Sequence, residues 1–357
     1  MEVPDYDLPE HAIAQLPAEP RDSARLLVAL GRALGHKTVA DLPSLLMRGD
    51  VLVLNTSRVI PARLRLCKAS GGTAEVLLLE RSPAVAPASA EVGDGASPTG
   101  TWQALVRPGR RLPPGTALYS HAARPSSTGD LVRPLVEVGE RLPDGTRLVR
   151  TLVGEAELHA AGELALPPYI HRPLADPSRY QTVYAERPGS VAAPTAGLHL
   201  TEDVLLGCRL RGVAVFPLDL AVGLGTFRPI RSQRAEEHAM HGEHYRVPEA
   251  TWQAVREAVN QGRRVVAVGT TTMRALESVA ATGLLEGRTE LYIRPGHAFQ
   301  AVNVLMTNFH QPRSTLLLML EAFCGQSWRE LYSVALGYGY RFLSFGDAML
   351  VARNVPG

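Results

Sequence analysis

Four segments of the chain concentrate side chains able to do chemistry. Gly189-Ser190-Val191-Ala192-Ala193-Pro194-Thr195-Ala196-Gly197-Leu198-His199 joins small, conformationally special residues to a terminal imidazole. Glycine, alanine and proline let a ligand approach a stiff main chain, and His199 can then act on it. The same string would also serve as a tight loop whose histidine caps the next helix. Gly269-Thr270-Thr271-Thr272-Met273-Arg274 gathers hydroxyls and free amides at an expected helix start. That suits a carboxylate, a phosphate or a ribose, or a plain threonine-capped turn. Thr307 to Ser314 places Asn308, Phe309, His310 and Arg313 close together: an amide, an aromatic face, an imidazole and a cation, more than a connector needs. The last segment carries His238, His241 and His244 at a spacing of three, which on a helix would put imidazoles on one face and could bind zinc. Gly242 inside the motif, Met240 beside it and the lack of an identifiable carboxylate to orient the rings argue against a metal. The segment is read as ligand-facing, through His241, or as a polar surface loop, and no metal is expected. Asn55-Thr56-Ser57-Arg58 and Phe345-Gly346-Asp347-Ala348-Met349 add smaller polar groupings, with Asp347 either orienting a ligand or capping.

The elements that must hold these segments follow an α/β rhythm. Val51 to Leu54 and Val265 to Val268 read as buried strands, and Val213 to Phe216 and Ala301 to Met306 as further strands. Helices are expected over 202–210 with Thr201 as N-cap, over 252–260, over 273–280, and from Ser314 as cap to near Gly325. Strand, short polar loop and helix recur, so the candidate loops should gather at the carboxyl edge of one α/β sheet or barrel. Between Arg65 and Leu158 the texture changes to short β-like runs over 74–79, 102–106, 131–138 and 147–152, separated by Gly/Pro turns. These predict a small all-β module inserted in the main fold. Ser82 to Gly100, rich in Ala, Pro, Ser and Gly, reads as a disordered loop within it.

Composition narrows the setting. With 357 residues, 45% hydrophobic and 20% charged, the chain has the makeup of a two-domain globular protein. Its longest apolar runs, such as Leu316 to Leu320, fall far short of the roughly 20 residues of a membrane span. The opening Met-Glu-Val-Pro-Asp lacks the basic and apolar regions of a secretory signal. Cys67, Cys208 and Cys324 are odd in number and unpaired in spacing, so a reducing cytoplasm is expected. A net charge of +2 gives no global pull on nucleic acid. Any such binding must come from a local patch, for which Arg107, Arg110, Arg111, Arg228, Arg231, Arg234 and Arg313 are candidates.

The segments also form an ordered series almost from end to end. It runs through Tyr6-Asp7-Leu8-Pro9, Gly49 to Asn55, Arg58 to Leu64, Leu166-Pro167-Pro168-Tyr169-Ile170, Tyr180 to Ala185, Gly189 to His199 and Val222 to Phe227. It continues through His238 to Tyr245, Ala267 to Thr271, Thr307 to His310, Ser314 to Leu317, and Tyr340-Arg341-Phe342 with Gly346 to Leu350. Together these resemble the S-adenosylmethionine:tRNA ribosyltransferase-isomerase family of the queuosine pathway. The resemblance implies a barrel-like α/β main domain over 1–64 and 158–357, with an inserted β-barrel domain over 65–157. It also implies transfer and isomerisation of the ribosyl part of S-adenosylmethionine onto a 7-aminomethyl-7-deazaguanine at the tRNA wobble position, giving epoxyqueuosine, adenine and methionine.

That chemistry makes demands the residues can meet. The sulfonium acidifies the ribose 5′ carbon, so a base could start the reaction by forming an ylide, and His199, His310 and His241 are the available imidazoles. Departing adenine needs donors such as Asn308 or the Thr270 to Thr272 loop. A methionine carboxylate needs a cation and amides, for which Arg274 or Arg313 at a helix start would suffice. Asn55, Arg58, Ser190, Pro194, Thr195, Gly197, Thr270, Thr271 and Asp347 are expected to complete the substrate site. TRNA and S-adenosylmethionine are the expected partners, the latter as donor substrate with no separate cofactor. A monomer without membrane contact is expected. The chain departs from the family pattern at Ala221, where Leu-His-Val-Gly is expected, at Leu200 for a phenylalanine, at Thr56-Ser57 and at Ala24. These departures keep two alternatives open: a diverged transferase with a small-molecule acceptor, and a noncatalytic binding protein.

Overall fold

The computed structural model describes residues 2–82, 100–121, 133–223, 230, 234–237 and 242–353. Contacts divide the chain into two compact units, one of residues 1–58 and 167–357 and one of residues 59–166. Along the chain the first unit begins with β1 (Arg25–Ala29), β2 (Gly35–Thr38), the short α1 (Leu42–Leu45), β3 (Val51–Asn55) and β4 (Ser57–Val59).

The 59–166 unit holds β5 (Arg63–Cys67), β6 (Thr73–Ser82), β7 (Thr101–Arg107), β8 (Thr116–Ser120), β9 (Val136–Arg141) and β10 (Arg147–Thr151), followed by α2 (Glu155–Ala160) and β11 (Gly162–Glu163). The strands run in the order β5-β6-β7-β10-β9-β8 and antiparallel pairing of β5 with β8, Leu66 opposite Ser120, closes them into a six-stranded barrel. Closure removes the exposed edges that so small a sheet would otherwise present. The inserted all-β texture is thus a closed barrel. The sequence left β5 and β8 unassigned. The expected loop 82–100 lies, apart from its two end residues, outside the described residues.

The first unit resumes with β12 (Arg187–Ser190), α3 (Glu202–Leu210), β13 (Ala214–Leu220), β14 (Glu243–Arg246), α4 (Glu249–Asn260), β15 (Val265–Val268), α5 (Thr270–Thr282), β16 (Glu286–Thr289), β17 (Val304–Asn308), α6 (Thr315–Cys324), α7 (Ser327–Gly337) and β18 (Ala348–Ala352). Nine strands form one mixed sheet, ordered β16-β14-β13-β3-β15-β17-β18-β1-β2. Its centre, β13, β3, β15 and β17, is parallel, with Leu52 beside Val215 and Val266, and Val266 beside Val304.

Every residue of β3, β15 and β17 is buried, which is why these strands are continuous apolar runs rather than alternating ones. The period of two still sorts them: Val51 and Val53 pack into the core under α4 to α7, Leu52 and Leu54 into the core under α1 and α3. Thr201 and Ser314 cap α3 and α6 as expected, their hydroxyls accepting from the Val204 and Leu317 amides at 3.2 and 3.1 Å.

Among the described residues the sheet ends at β2 and β16, so the barrel-like closure expected of the main domain is not made. The antiparallel steps at β17–β18, β1–β2 and β14–β16 interrupt the repeated parallel crossover that closing an α/β barrel requires. Among the described residues no helix is long and apolar enough to cross a membrane.

Candidate functional site

Because β3, β13, β15 and β17 are parallel, Asn55, Leu220, Val268 and Asn308 all end at one edge of the sheet. Ligands of open α/β folds bind at that carboxyl edge. The segment after β12 folds against it: Pro194 and Thr195 join Gly269, Thr270, Thr271, Thr307, Asn308 and His310 around one recess. A second recess shares Thr195, Asn308, His310 and Leu316 and adds Tyr169, Ser314, Leu343 and Ser344. A third shares Thr270, Thr271 and Leu316 and adds Arg274, Tyr292 and Thr315. The three candidate loops therefore meet in one chain of recesses.

Asn308 is the hub. Its Oδ1 accepts from the Thr195 hydroxyl at 2.9 Å, and its Nδ2 lies 3.2 Å from His199 Nε2 and 3.4 Å from the Asp347 carbonyl. His199 sits behind Asn308 and does not line the recesses. Burial pushes its pKa down to about 4, aided by the Arg341 and Arg21 charges and opposed by Asp347, so the ring is neutral at pH 7. His310 does line them. Its Nε2 lies 2.9 Å from the Thr307 hydroxyl, its main-chain N–H donates to the Tyr332 hydroxyl at 2.8 Å and its carbonyl accepts from Tyr6 at 2.5 Å. Burial pushes its pKa down to about 3, so this imidazole is also neutral.

Other expected site residues are used by the scaffold. Asn55 extends the β3–β13 pairing past the strand ends: Oδ1 accepts from the Leu220 and Ser57 amides and Nδ2 donates to the Leu220 carbonyl, leaving only a 3.4 Å contact to Thr271 Oγ1. The Ser190 hydroxyl donates to the Ala192 carbonyl and accepts from the Val222 amide, pinning the loop to the end of β13. Gly197 is required by packing, since a Cβ there would lie 2.0 Å from the Tyr184 hydroxyl.

The buried Asp347 carboxylate accepts from the main-chain amides of Arg25 and Arg341 at 3.0 and 2.8 Å and from Arg25 Nε at 3.1 Å, so its charge is answered by arginine rather than open to a ligand. Arg58 is exposed on β4. Arg274 is ion-paired with buried Glu243 and donates to the Thr289 carbonyl at 3.2 Å. His238, His241, Arg228, Arg231 and the Leu224 to Phe227 segment lie outside the described residues, and His244 is exposed on β14. Among the described residues, no three His, Cys, Asp or Glu side chains gather as metal ligands.

Several recess residues escaped the reading of the sequence, among them Leu343 and Tyr292. Tyr169, whose hydroxyl is 2.7 Å from Ser344 Oγ, stood in a quoted motif without a role, and Ser344 carried no local signal. Leu316 looked like core, yet it is only half-buried while Leu317, Leu318, Met319 and Leu320 are buried.

The comparisons with known proteins agree over nearly the whole chain. Residues 2–351 match the profile of the family described as queuosine biosynthesis protein. A protein of Rubrobacter xylanophilus named S-adenosylmethionine:tRNA ribosyltransferase-isomerase is 48% identical over 97% of this chain and 96% of its own length. One of the same name from Thermus thermophilus is 48% identical over 98% and 99%. A crystal structure of S-adenosylmethionine tRNA ribosyltransferase from Thermotoga maritima is 33% identical, covers 97% of this chain and 99% of that one, and superposes with a TM-score of 0.52. Sequence, order of motifs and fold thus give one answer: the chain belongs to the queuosine biosynthesis protein family.

Proposed function

We propose that this protein is an S-adenosylmethionine:tRNA ribosyltransferase-isomerase, moving the ribosyl part of S-adenosylmethionine onto a 7-aminomethyl-7-deazaguanine at the tRNA wobble position with release of adenine and methionine. The supporting observation is the convergence of His310, Asn308, Thr195, Thr270 and Thr271 on adjoining recesses at the carboxyl edge. His310 is the proposed base. The C5′–H bond beside the sulfonium breaks, its electron pair stays on carbon as the ylide, and the proton moves to the imidazole. A pKa of about 3 describes a neutral ring gaining a charge from water. Here one cation replaces another, the sulfonium becoming a net-neutral ylide as the imidazole becomes charged, so burial does not penalise the step to the same degree.

Asn308, fixed by Thr195 and backed by His199, keeps one Nδ2–H in only a 3.4 Å contact with the Asp347 carbonyl, and that N–H is the proposed donor to adenine as it leaves. His199 then acts through Asn308 as a positioning residue. S-adenosylmethionine enters as donor substrate, and the reaction so written uses no further cofactor. Action as a monomer, in the cytoplasm where tRNA is modified, is part of this reading.

The test is incubation with S-adenosylmethionine and tRNA carrying the aminomethyl base. Adenine should appear in step with the mass gain of the tRNA. No release under conditions where a control enzyme turns over would end this reading.

A further inference from the structure

The third recess carries features that the reaction above leaves unassigned. Helix α5 begins at Thr270 behind Gly269, a residue at φ +90° that offers no side-chain cap. Thr270, Thr271 and Thr272 are nevertheless buried, and uncapped first-turn amides in such a place call for an acceptor. Helix α6 begins at Thr315, and Thr315 and Leu316 line the same recess, so the positive ends of two helices meet there. Arg274, only 4% exposed, lines it as well. Its Nη1 is committed to Glu243 and its Nη2 to the Thr289 carbonyl, whereas its buried Nε has no hydrogen-bond partner. Glu243 in turn accepts from the Gly223 amide at 3.0 Å, which holds the pair in place.

We infer that this recess binds the amino-acid carboxylate of the sulfonium donor, with the α5 and α6 amides and Arg274 Nε as its donors. The inference rests on the proposed reaction and assigns one end of its donor substrate. Glu243 already answers the full charge of Arg274, so what remains is the partial charge of two helix ends and one N–H. That matches a single small anion. A tRNA phosphate carries bulky sugars on both sides, which the burial of Arg274 and of the threonines opposes. Arg313, the other candidate cation, is 40% exposed and lies 3.6 Å from Asp5. Anchoring the carboxylate beside α5 directs the rest of the donor along the edge toward His310 and Asn308, in the adjoining recess that shares Thr270, Thr271 and Leu316.

The experiment measures adenine release by the wild-type protein, with aminomethyl-bearing tRNA, from S-adenosylmethionine and from its decarboxylated analogue. The KM for the decarboxylated donor should be about 30-fold higher, the loss of one charge-assisted set of hydrogen bonds, with the KM for tRNA unchanged. In the double variant Arg274→Gln/Glu243→Gln, which removes Arg274 Nε and leaves the helix amides in place, the preference for the carboxylated donor should shrink by about threefold or more, and an undiminished preference overturns the inference. Equal KM values for the two donors in the wild type overturn the inference and leave the proposed reaction standing. Release from neither donor overturns both. Should the double variant not fold, Arg274→Lys, which keeps a cation beside Glu243 and removes the Nε donor, takes its place, and a preference for the carboxylated donor undiminished in that variant overturns the inference. Inorganic phosphate competing with both donors alike, without a preference for the carboxylated one, would mark a phosphate site and also overturn it.

Discussion

His310 and His199 are alike as residues and differ in what surrounds them. The first borders two recesses and the second reaches them only through Asn308. His310→Gln should therefore lower kcat by about 10²- to 10⁴-fold, the usual worth of a general base, with little change in KM. His199→Gln should cost less and act mainly on the departure of adenine, seen as a smaller drop in single-turnover adenine release. Both rings also tie stability to pH. Their folded pKa values, about 3 and about 4, lie below the ordinary 6.5, so the unfolded chain binds more protons as pH falls below 6.5. Stability is complete above that value and declines toward the folded pKa values, by about 2 kcal/mol from each ring at pH 5. Thermal unfolding between pH 7 and 5 should show this decline, and each Gln variant should flatten it; an unchanged slope would mean the rings are not held neutral.

Residue types alone pointed to much of the candidate site. Asn308, His310, Thr195, Thr270 and Thr271 stand out in sequence because each puts a polar group where a connector needs none. Which polar groups face a ligand was not legible, because Asn55 and Ser190 are held by main-chain atoms of Leu220 and Val222, 165 and 32 positions away, as well as by near neighbours.

At the scale of elements, the apolar runs of β3 and β15 and the caps Thr201 and Ser314 were readable, since each is fixed by neighbours in sequence. The start of α5 was not. Thr270 to Thr272 precede the helix expected over 273–280, yet these β-branched residues, which favour helices weakly, form its first buried turn, with the Thr272 hydroxyl donating to the Val268 carbonyl at 2.6 Å. Nor was α7, whose Trp328 and Tyr332 are buried against Tyr6, an aromatic packing made across more than 300 positions. Long-range packing of this kind leaves no local signature.

The cap that was legible offers a test of how elements serve the site. Ser314→Ala removes the acceptor for the Leu317 amide and should cost about 1 kcal/mol. Because Thr315 and Leu316 of the same turn line the recesses, the KM for S-adenosylmethionine should rise along with the fall in Tm. A lower Tm with an unchanged KM would show that the turn supports the fold but not the donor.

Across the whole molecule the net charge is only +2, too little to draw a polyanion by its overall field. The binding of tRNA must then depend on a few cations, each displacing counterions from a phosphate. Arg107, Arg110 and Arg111 are all exposed within the barrel unit, around the turn that follows β7. No other trio of arginines so close in sequence is exposed among the described residues of that unit. Replacing all three by alanine should weaken tRNA binding, lessen the slope of log K against log salt by about 2 to 3, and leave the KM for S-adenosylmethionine unchanged. The barrel would then be a handle for the macromolecule, separate in function from the recesses proposed to hold the small donor. A salt slope that survives the triple substitution, measured by fluorescence anisotropy with labelled tRNA, would place the phosphate contacts elsewhere on the chain.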